Sequence, residues 1–373
     1  MKTALVHDWL TGMRGGEKVL ELLCELLPGS DLYTLIHVPG QLAPEIESQR
    51  IVTSWLDRLP GIERYYRYLL PLMPAAARRL KLRGYDLVVA VSHCVAHAVD
   101  VDRNARFVCY CLTPMRYIWD SAGSYFAGRR RRDPRYWLLR QVSSVFRRWD
   151  REAAARVDEY VSISHLVQER VKSCYGRESR IIYPPVDTTF YHPVRAERGG
   201  YYLWAGALAP YKRMDLALEA FATLDAELVV VGKGQDLAWA RKSATSNVKF
   251  VGRVSDEDLR RYYSGCRALV FPGEEDFGIV PLEAQACGRP VIAYGRGGVL
   301  DTVVSIDDAT GKRPTGIFFG EPDAGSLADA VRRFEDVEER FDPEAIREHA
   351  RTFSRERCRT ELSAYLLGAE DKS

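Results

Sequence analysis

The chain has 373 residues, 46% hydrophobic and 28% charged, a balance that suits two soluble globular domains and excludes a disordered or low-complexity protein. The net charge of +2 hides an asymmetry: residues 1–186 carry 28 Lys/Arg against 20 Asp/Glu, and the remainder 25 against 31. A basic first half and an acidic second half point to different partners for the two, without specifying a fold.

Residues 3–6 form a short apolar run that reads as a strand and breaks into His7-Asp8-Trp9-Leu10-Thr11-Gly12-Met13-Arg14-Gly15-Gly16. Residues 17–27 then show helical periodicity and stop at Pro28-Gly29. A glycine-bearing turn between strand and helix lets backbone approach an anion closely. Further strands are expected at 31–35, 86–91 and 107–112. The eight cysteines include no Cys-x-x-Cys and no His/Cys cluster at zinc spacing, so no metal is expected. Several lie in apolar runs, as Cys109 and Cys111 do, and read as buried free thiols of a reducing cytoplasm. The N-terminal apolar run is too short for a signal peptide, and no stretch approaches membrane-spanning length.

Residues 55–83 interleave Trp55, Tyr65, Tyr66 and Tyr68 with Arg58, Arg64, Arg67, Arg78, Arg79, Lys81 and Arg83. Residues 116–151 repeat the pattern with Tyr125, Phe126, Trp137, Phe146 and Trp149 among arginines, including the run 129–132. Such mixtures suit an anionic membrane surface, an anionic acceptor or a nucleic-acid strand. They equally suit core aromatics beneath a solvated arginine face. The strand expected at 157–164 ends at Ser164, a suitable cap for a helix from His165. Tyr183-Pro184-Pro185-Val186-Asp187 reads as a stiff linker.

The second half opens with a strand at 201–205, the loop Gly206-Ala207-Leu208-Ala209-Pro210-Tyr211-Lys212-Arg213, and a helix over 215–224. A strand at 227–231 ends in the phosphate-compatible turn Gly232-Lys233-Gly234, and Ser255 is placed to cap a helix over 256–263. The apolar run 268–271 then leads through Gly273-Glu274-Glu275-Asp276-Phe277-Gly278-Ile279-Val280 into a short helix and a strand over 290–294, a βαβ unit. Pro281 is tolerated in the first helical turn, where its missing N–H has no partner to lose. The N–H groups of Phe277, Gly278, Ile279 and Val280 therefore open a helix N-terminus suited to phosphate. Glu275 and Glu283 bracket that point with seven residues between them. An acid before a helix serves the macrodipole, but Glu283 lies within the helix and is not explained that way. The last helix is expected over about 343–367.

The spacing Glu-x7-Glu around Phe277-Gly278 resembles the donor-site motif of the retaining glycosyltransferases of family 4, whose fold is GT-B: two Rossmann-like doubly wound domains facing each other across a cleft. The resemblance extends in order along nearly the whole chain. The Gly15-Gly16-Glu17-Lys18 turn is similar to the family loop under the donor diphosphate. Thr113-Pro114-Met115-Arg116 is similar to a segment of bacterial surface-polysaccharide mannosyltransferases, and the Tyr-Pro-Pro-Val-Asp linker has the family form. Lys212 matches a family lysine that holds the diphosphate. Phe250-Val251-Gly252-Arg253-Val254-Ser255 resembles the loop that meets the nucleotide base.

The resemblance implies an N-terminal acceptor-side domain over 1–186, a donor domain over 187–350, and a terminal helix, 351–373, crossing back. It implies Glu275 and Lys212 as catalytic residues, Glu275 on sugar hydroxyls and Glu283 on the ribose diol. Gly15, Gly16, Gly206, Arg213, Gly232, Lys233, Arg253, Val254, Phe277, Gly278, Ile279 and Val280 would complete the donor site, with Asp8, His93, His97 and Arg116 on the acceptor side. No cofactor is implied; the nucleotide-sugar is a substrate, GDP-mannose favoured over a UDP-sugar, and the acceptor is a glycan or lipid-linked. The expected location is the cytoplasm, peripheral on the inner face of the membrane, with no nucleic-acid partner.

Two positions depart from the family. Leu112 stands where the mannosyltransferases place a histidine against the donor sugar, and Ala207 stands where the diphosphate arginine belongs. Arg213 or Lys233 would have to restore the lost charge, and His93 or His97 the lost sugar contact. A catalytically impaired relative that binds nucleotide, glycan or a partner enzyme is the alternative reading.

Overall fold

A computed structural model describes residues 1–119, 134–195 and 199–368. Asp120, Tyr125, Phe126 and the arginine run 129–132 of the second basic–aromatic segment lie outside the described residues, as does the side chain of Trp137. The chain divides into two compact units: Met1–Pro185 together with the chain from Cys358 onward, and Val186–Arg357.

The first unit is built on seven parallel strands: β1 Thr3–His7, β2 Asp31–Thr34, β3 Arg50–Thr53, β4 Leu87–Ser92, β5 Arg106–Cys111, β6 Glu159–Ser162 and β7 Ser179–Ile181. They lie in the order β3-β2-β1-β4-β5-β6-β7. Every residue of β1 and β4 is buried, as expected of a parallel sheet covered on both faces. Helix α1, Gly15–Leu26, buries Val19, Leu20, Leu22 and Leu23. Two long helices follow β5 and β6: α2 Pro134–Ala154 and α3 His165–Tyr175. Ser164 caps α3 through the N–H of Val167, and Gly176 ends it in the left-handed region. β3 was not legible in the sequence, because a four-residue edge strand with one exposed and three half-buried positions has no clean alternation.

The second unit has six parallel strands: β8 Tyr201–Ala205, β9 Glu227–Val231, β10 Val248–Gly252, β11 Leu269–Phe271, β12 Val291–Tyr294 and β13 Gly316–Phe319. Their order is β10-β9-β8-β11-β12-β13, the doubly wound arrangement. Successive residues of β8 enter opposite cores: Tyr202 and Trp204 pack with Phe221 and Phe334, Leu203 and Ala205 with Tyr263 and Phe271. The longer helices of the unit are α4 Met214–Phe221, α5 Asp256–Gly265, α6 Ile279–Ala286, α7 Ala324–Val337 and α8 Pro343–Arg351. Phe250 begins no loop; it lies in edge strand β10, paired with Val230.

The expected single helix over 343–367 is two. α8 ends at Arg351, and α9, Arg355–Leu367, follows after the short break at Thr352-Phe353-Ser354. The return to the first unit begins at Cys358 rather than at 351. Cys358 and Leu362 are buried there, Arg359 pairs with Glu25 of α1, and the Tyr365 hydroxyl donates to Glu159 at 2.6 Å. Arg106 grips the same carboxylate and donates to the carbonyl oxygens of Tyr365 and Leu366.

In the first unit, β1 and β4 are neighbours, and the loops after them are tied by one carboxylate. Asp8 is fully buried and accepts backbone hydrogen bonds from His93 (2.7 Å), Cys94 (3.1 Å), Val95 (2.6 Å) and Ala96 (2.7 Å). Burial alone would raise its carboxyl, but the charge and hydrogen bonds of His93, then His7, outweigh it and hold Asp8 well below the usual range. Its contribution to stability is therefore present above the ordinary aspartate range and is lost as pH falls toward the depressed folded value. Asp8→Ala, which orphans four buried N–H groups, should cost about 3–5 kcal/mol in urea unfolding at neutral pH. The difference from wild type should shrink as the pH is lowered.

Candidate active site

The corresponding switch point of the second unit lies between β8 and β11, where loops to opposite faces leave a crevice beyond the strand ends. Four loops meet there. A Cβ on Gly232 would lie 1.8 Å from the carbonyl oxygen of Gly206, so only glycine allows the two turns to touch. One on Gly298 would lie 2.4 Å from the oxygen of Asp276 and the Cα of Phe277, while the Gly298 N–H donates to Glu275 at 2.8 Å. The Gly295-Arg296-Gly297-Gly298 turn thus fixes the backbone that carries Glu275.

Lys212 and Glu275 form an ion pair across the switch point, their side chains only 12% and 19% exposed. The Lys212 ammonium lies over the rings of Tyr211 and Phe271, at 5.7 and 5.8 Å. Helix α6 starts at Ile279, four residues after Glu275, behind the Gly278 cap. Phe277 itself is buried against Phe353, so only its backbone faces the turn. Glu283, on α6, is 6% exposed and accepts from the hydroxyl of Tyr263 at 3.1 Å. Tyr263 is fully buried, and burial, reinforced by Glu283, pushes its hydroxyl far up, so it remains a donor.

Arg213, the sequence candidate to restore the charge missing at 207, is paired within its own loop. It sits in the left-handed region (φ 53°) and turns its guanidinium onto Asp215, at 2.9–3.1 Å. The Asp215 carboxylate one residue inside α4 was the sequence signal for this, and it was overlooked. Ala207, Lys233 and Arg253 are exposed, and Val254 is half-buried against the core. Lys233 is an exposed cation of this loop cluster, in the turn that touches Gly206, and Arg296 is another.

In the first unit, Gly15 and Gly16 open α1. A Cβ on Gly16 would come within 2.6 Å of Leu112 Cδ1 and 3.4 Å of the His7 ring, so Leu112 packs directly over this turn. His7 and Glu17 are both buried, with Nε2 3.6 Å from the carboxylate. Burial would lower His7 and raise Glu17, but each outweighs it for the other: His7 is raised and Glu17 lowered. His97 is spent in the interior: its Nε2 lies 3.1 Å from Asp150 Oδ1, while the other oxygen of that carboxylate accepts from Trp119 (2.6 Å) and Tyr175 (2.9 Å). Arg116 opens a short helix, Arg116–Trp119, and is half-buried. His93 alone of the two candidate histidines keeps a partly exposed ring, 28% accessible. Trp9, whose ring meets that of His93 edge-on, and Tyr66, tilted against Trp9 at 5.4 Å, were not singled out in this role from the sequence.

Among the described residues no cluster of His, Cys, Asp and Glu could hold a metal ion. None of their helices is long and apolar enough to cross a membrane.

Two all-parallel Rossmann-like units with polar loops at their switch points define the GT-B class of fold. A family model described as Glycosyltransferase Family 4 matches residues 13–190, and one described as Glycosyl transferases group 1 matches 189–353. Together the two matches run from residue 13 to residue 353, so the chain is similar to glycosyltransferases along both units and has the GT-B fold. It is 31% identical to a GDP-mannose-dependent monoacylated alpha-(1-6)-phosphatidylinositol monomannoside mannosyltransferase of Corynebacterium glutamicum, over 41% of this chain and 48% of the relative. It is 30% identical to a D-rhamnosyltransferase of Pseudomonas aeruginosa, over 42% and 44%. The matched region thus spans about half the length of these curated relatives. The crystal structure of Anabaena HepE in complex with UDP and glucose superposes with a TM-score of 0.69 at 16% identity, covering 99% of this chain and 100% of that one. Sucrose-phosphate synthase from Thermosynechococcus elongatus gives 0.70 at 19%, with the same coverage. At these identities the likeness is one of fold.

Gly298→Ala should displace the Glu275 loop, because the new methyl has only backbone to push against. A loss of about 1–3 kcal/mol in denaturant unfolding is expected, the scale of overpacking in a close-packed site.

Proposed function

We propose that this protein is a retaining glycosyltransferase, moving a sugar from a nucleotide-diphosphate donor to a glycan or lipid-linked acceptor. The observation that carries the reading is the Lys212–Glu275 pair at the switch point, beside the helix start at Gly278. A donor diphosphate needs a cation and backbone N–H groups, and Lys212 and the α6 N-terminus supply both. Negative charge grows on the diphosphate as the glycosidic bond breaks, so a fixed cation there acts mainly on the transition state. Without a donor, Lys212 and Glu275 neutralise each other. A donor would draw them apart, its phosphate onto the ammonium and its sugar hydroxyls onto the carboxylate. Glu283, oriented by Tyr263, would accept both hydroxyls of the ribose.

GDP-mannose is the favoured donor, on the strength of the GDP-mannose-dependent relative and of the 36% identity, over 25% of the chain, to an O-antigen chain mannosyltransferase of Escherichia coli. A UDP-sugar is the alternative, as UDP is held by a protein of the same fold. Gly15, Gly16, Gly206, Gly232, Lys233, Arg253 and Val254 are proposed to complete the donor site. Domain roles follow the same reading, the basic unit taking the acceptor and the acidic unit the donor. An impaired, binding-only relative is the second reading, favoured by Leu112 lying over the Gly16 turn and by the exposed alanine at 207.

Calorimetric titration with UDP, GDP, ADP and CMP tests the first reading. Micromolar binding of one nucleoside diphosphate is expected, and binding of none would favour the second. Lys212→Ala should weaken that binding about 10- to 100-fold, the worth of one charged hydrogen bond. Glu275→Ala should abolish transfer with diphosphate binding retained, and unchanged transfer would remove Glu275 from the site.

Peripheral attachment to the inner, anionic face of a membrane is proposed from residues 55–83, where Tyr68 is 76% exposed and Leu72 also stands out beside Arg64 and Arg67. Cosedimentation with phosphatidylserine vesicles should be strong at low salt and lost at high salt. An unbound protein at low salt would refute the attachment.

A further inference from the structure

A cluster that takes no part in the Lys212–Glu275 site lies wholly within the first unit. Ser144, Arg147, Arg148 and Arg151 fall at i, i+3, i+4 and i+7, on one face of α2. With Trp119 and Glu152 they line a cavity of about 510 Å³. Trp119 is its platform. The indole N–H donates to the buried Asp150 at 2.6 Å, and Tyr175 meets the ring edge-on at 6.0 Å. The guanidiniums of Arg151 and Arg147 both lie over this ring, at 4.9 and 5.7 Å. Each is also anchored inward through Nε. Arg147 donates to the carbonyl oxygen of Ile118 at 2.5 Å, and Arg151 to that of Cys174 on α3 at 2.9 Å.

We propose that this cavity is a binding site for a phosphate group, held between Arg147 and Arg151. An arginine whose Nε is used inward keeps four N–H donors on its two Nη atoms. Among the described residues no carboxylate pairs with Arg147 or Arg151, whereas Arg148 has Glu152 at 3.2 Å. Like charges one helical turn apart repel, yet here two guanidiniums are held together on one indole. A bound anion relieves that repulsion. A carboxylate has two oxygens and is satisfied by one guanidinium fork; a phosphate ester presents three and takes both. Because stacking and the Nε bonds already fix the two side chains, little rotamer freedom is lost on binding.

The acids nearby do not compete for these forks. Asp150 is fully buried and is occupied by Trp119, Tyr175 and His97. Glu152 stays on Arg148, so three arginines against one glutamate leave the lining basic. Ser144 adds a hydroxyl. The cavity has room for the group that the phosphate esterifies as well as for the phosphate. A soluble phosphate ester and the headgroup of phosphatidic acid share this chemistry. The site stands independently of the glycosyl-transfer reading, whose cation, Lys212, belongs to the other unit.

Phenylglyoxal modification of the wild-type full chain, read residue by residue by mass spectrometry, tests the site without a variant. Sodium acetate, glycerol 3-phosphate, phosphatidylcholine vesicles and the same vesicles carrying phosphatidic acid are compared at one ionic strength, so that screening is constant. The expected result is that a phosphate form slows modification of Arg147 and Arg151, with Arg332 of the second unit unchanged. Slowing by glycerol 3-phosphate supports a soluble ester as the ligand. Slowing by the phosphatidic acid vesicles alone supports a lipid headgroup. Equal rates in all four, or equal slowing by acetate, overturn the proposal. Arg151→Gln should keep the wild-type melting temperature and raise the half-protecting concentration at Arg147 about 10- to 100-fold, the worth of one charged hydrogen bond. An unchanged half-protecting concentration overturns the proposal too. Should that variant melt lower, the wild-type comparison decides alone.

Discussion

The constraint on which the rest depends is the adjacency of the first and fourth strands in each sheet. Chains leaving those two strands must turn to opposite faces, and the gap they leave cannot be filled by the sheet's own hydrogen bonds. Each unit closes it with a charged side chain. In the first unit Asp8 bridges the gap and is fully satisfied by four amides and an imidazole. In the second, Lys212 and Glu275 bridge it as a pair that stays partly exposed. The same topological demand is met once by a buried anchor and once by a pair that a ligand can separate.

Glycines make the second arrangement possible. Backbone approaches such as that of Gly232 to Gly206 leave no room for a Cβ, and they draw the loops after β8, β9, β11 and β12 into one cluster. With side chains excluded, the polar character of that cluster comes from backbone amides and a few charges. That composition suits an anionic ligand better than an apolar one. The first unit has a different character: aromatic and imidazole rings at the strand ends, with Tyr66 tilted against Trp9 and Trp9 edge-on to His93. The charge asymmetry between the halves of the chain accompanies this difference in site chemistry.

The two departures from the family pattern have different structural consequences. Ala207 leaves an exposed position without a charge, and the Arg213 guanidinium nearby is paired with Asp215. Leu112 fills space over Gly16 that a polar ring would otherwise occupy. The first removes a cation and changes little else. The second makes the Gly15-Gly16 turn more apolar on one side, next to a buried His7–Glu17 pair.

Most of the strand framework was legible in the sequence, because buried parallel strands are continuous apolar runs bounded by glycine and proline. The short edge strands β3, β10 and β13 were not: β3 and β10 are partly exposed, and β13, though buried, is only four residues long and opens on glycine. Helix caps at Ser164 and Ser255 were readable for the opposite reason: capping is local, and each hydroxyl accepts from an N–H three residues on. The break between α8 and α9 was hidden, because both helices share one Arg/Glu-rich composition. At the candidate site the sequence by itself determined which loops carry glycines and charges, and at what spacing. Only the tertiary structure decided which charges meet. Lys212 finds Glu275, His97 disappears against Asp150, and His93 is left facing outward on Asp8. Those outcomes turn on which strands become neighbours in the sheet, a long-range relation that no local pattern of residues encodes.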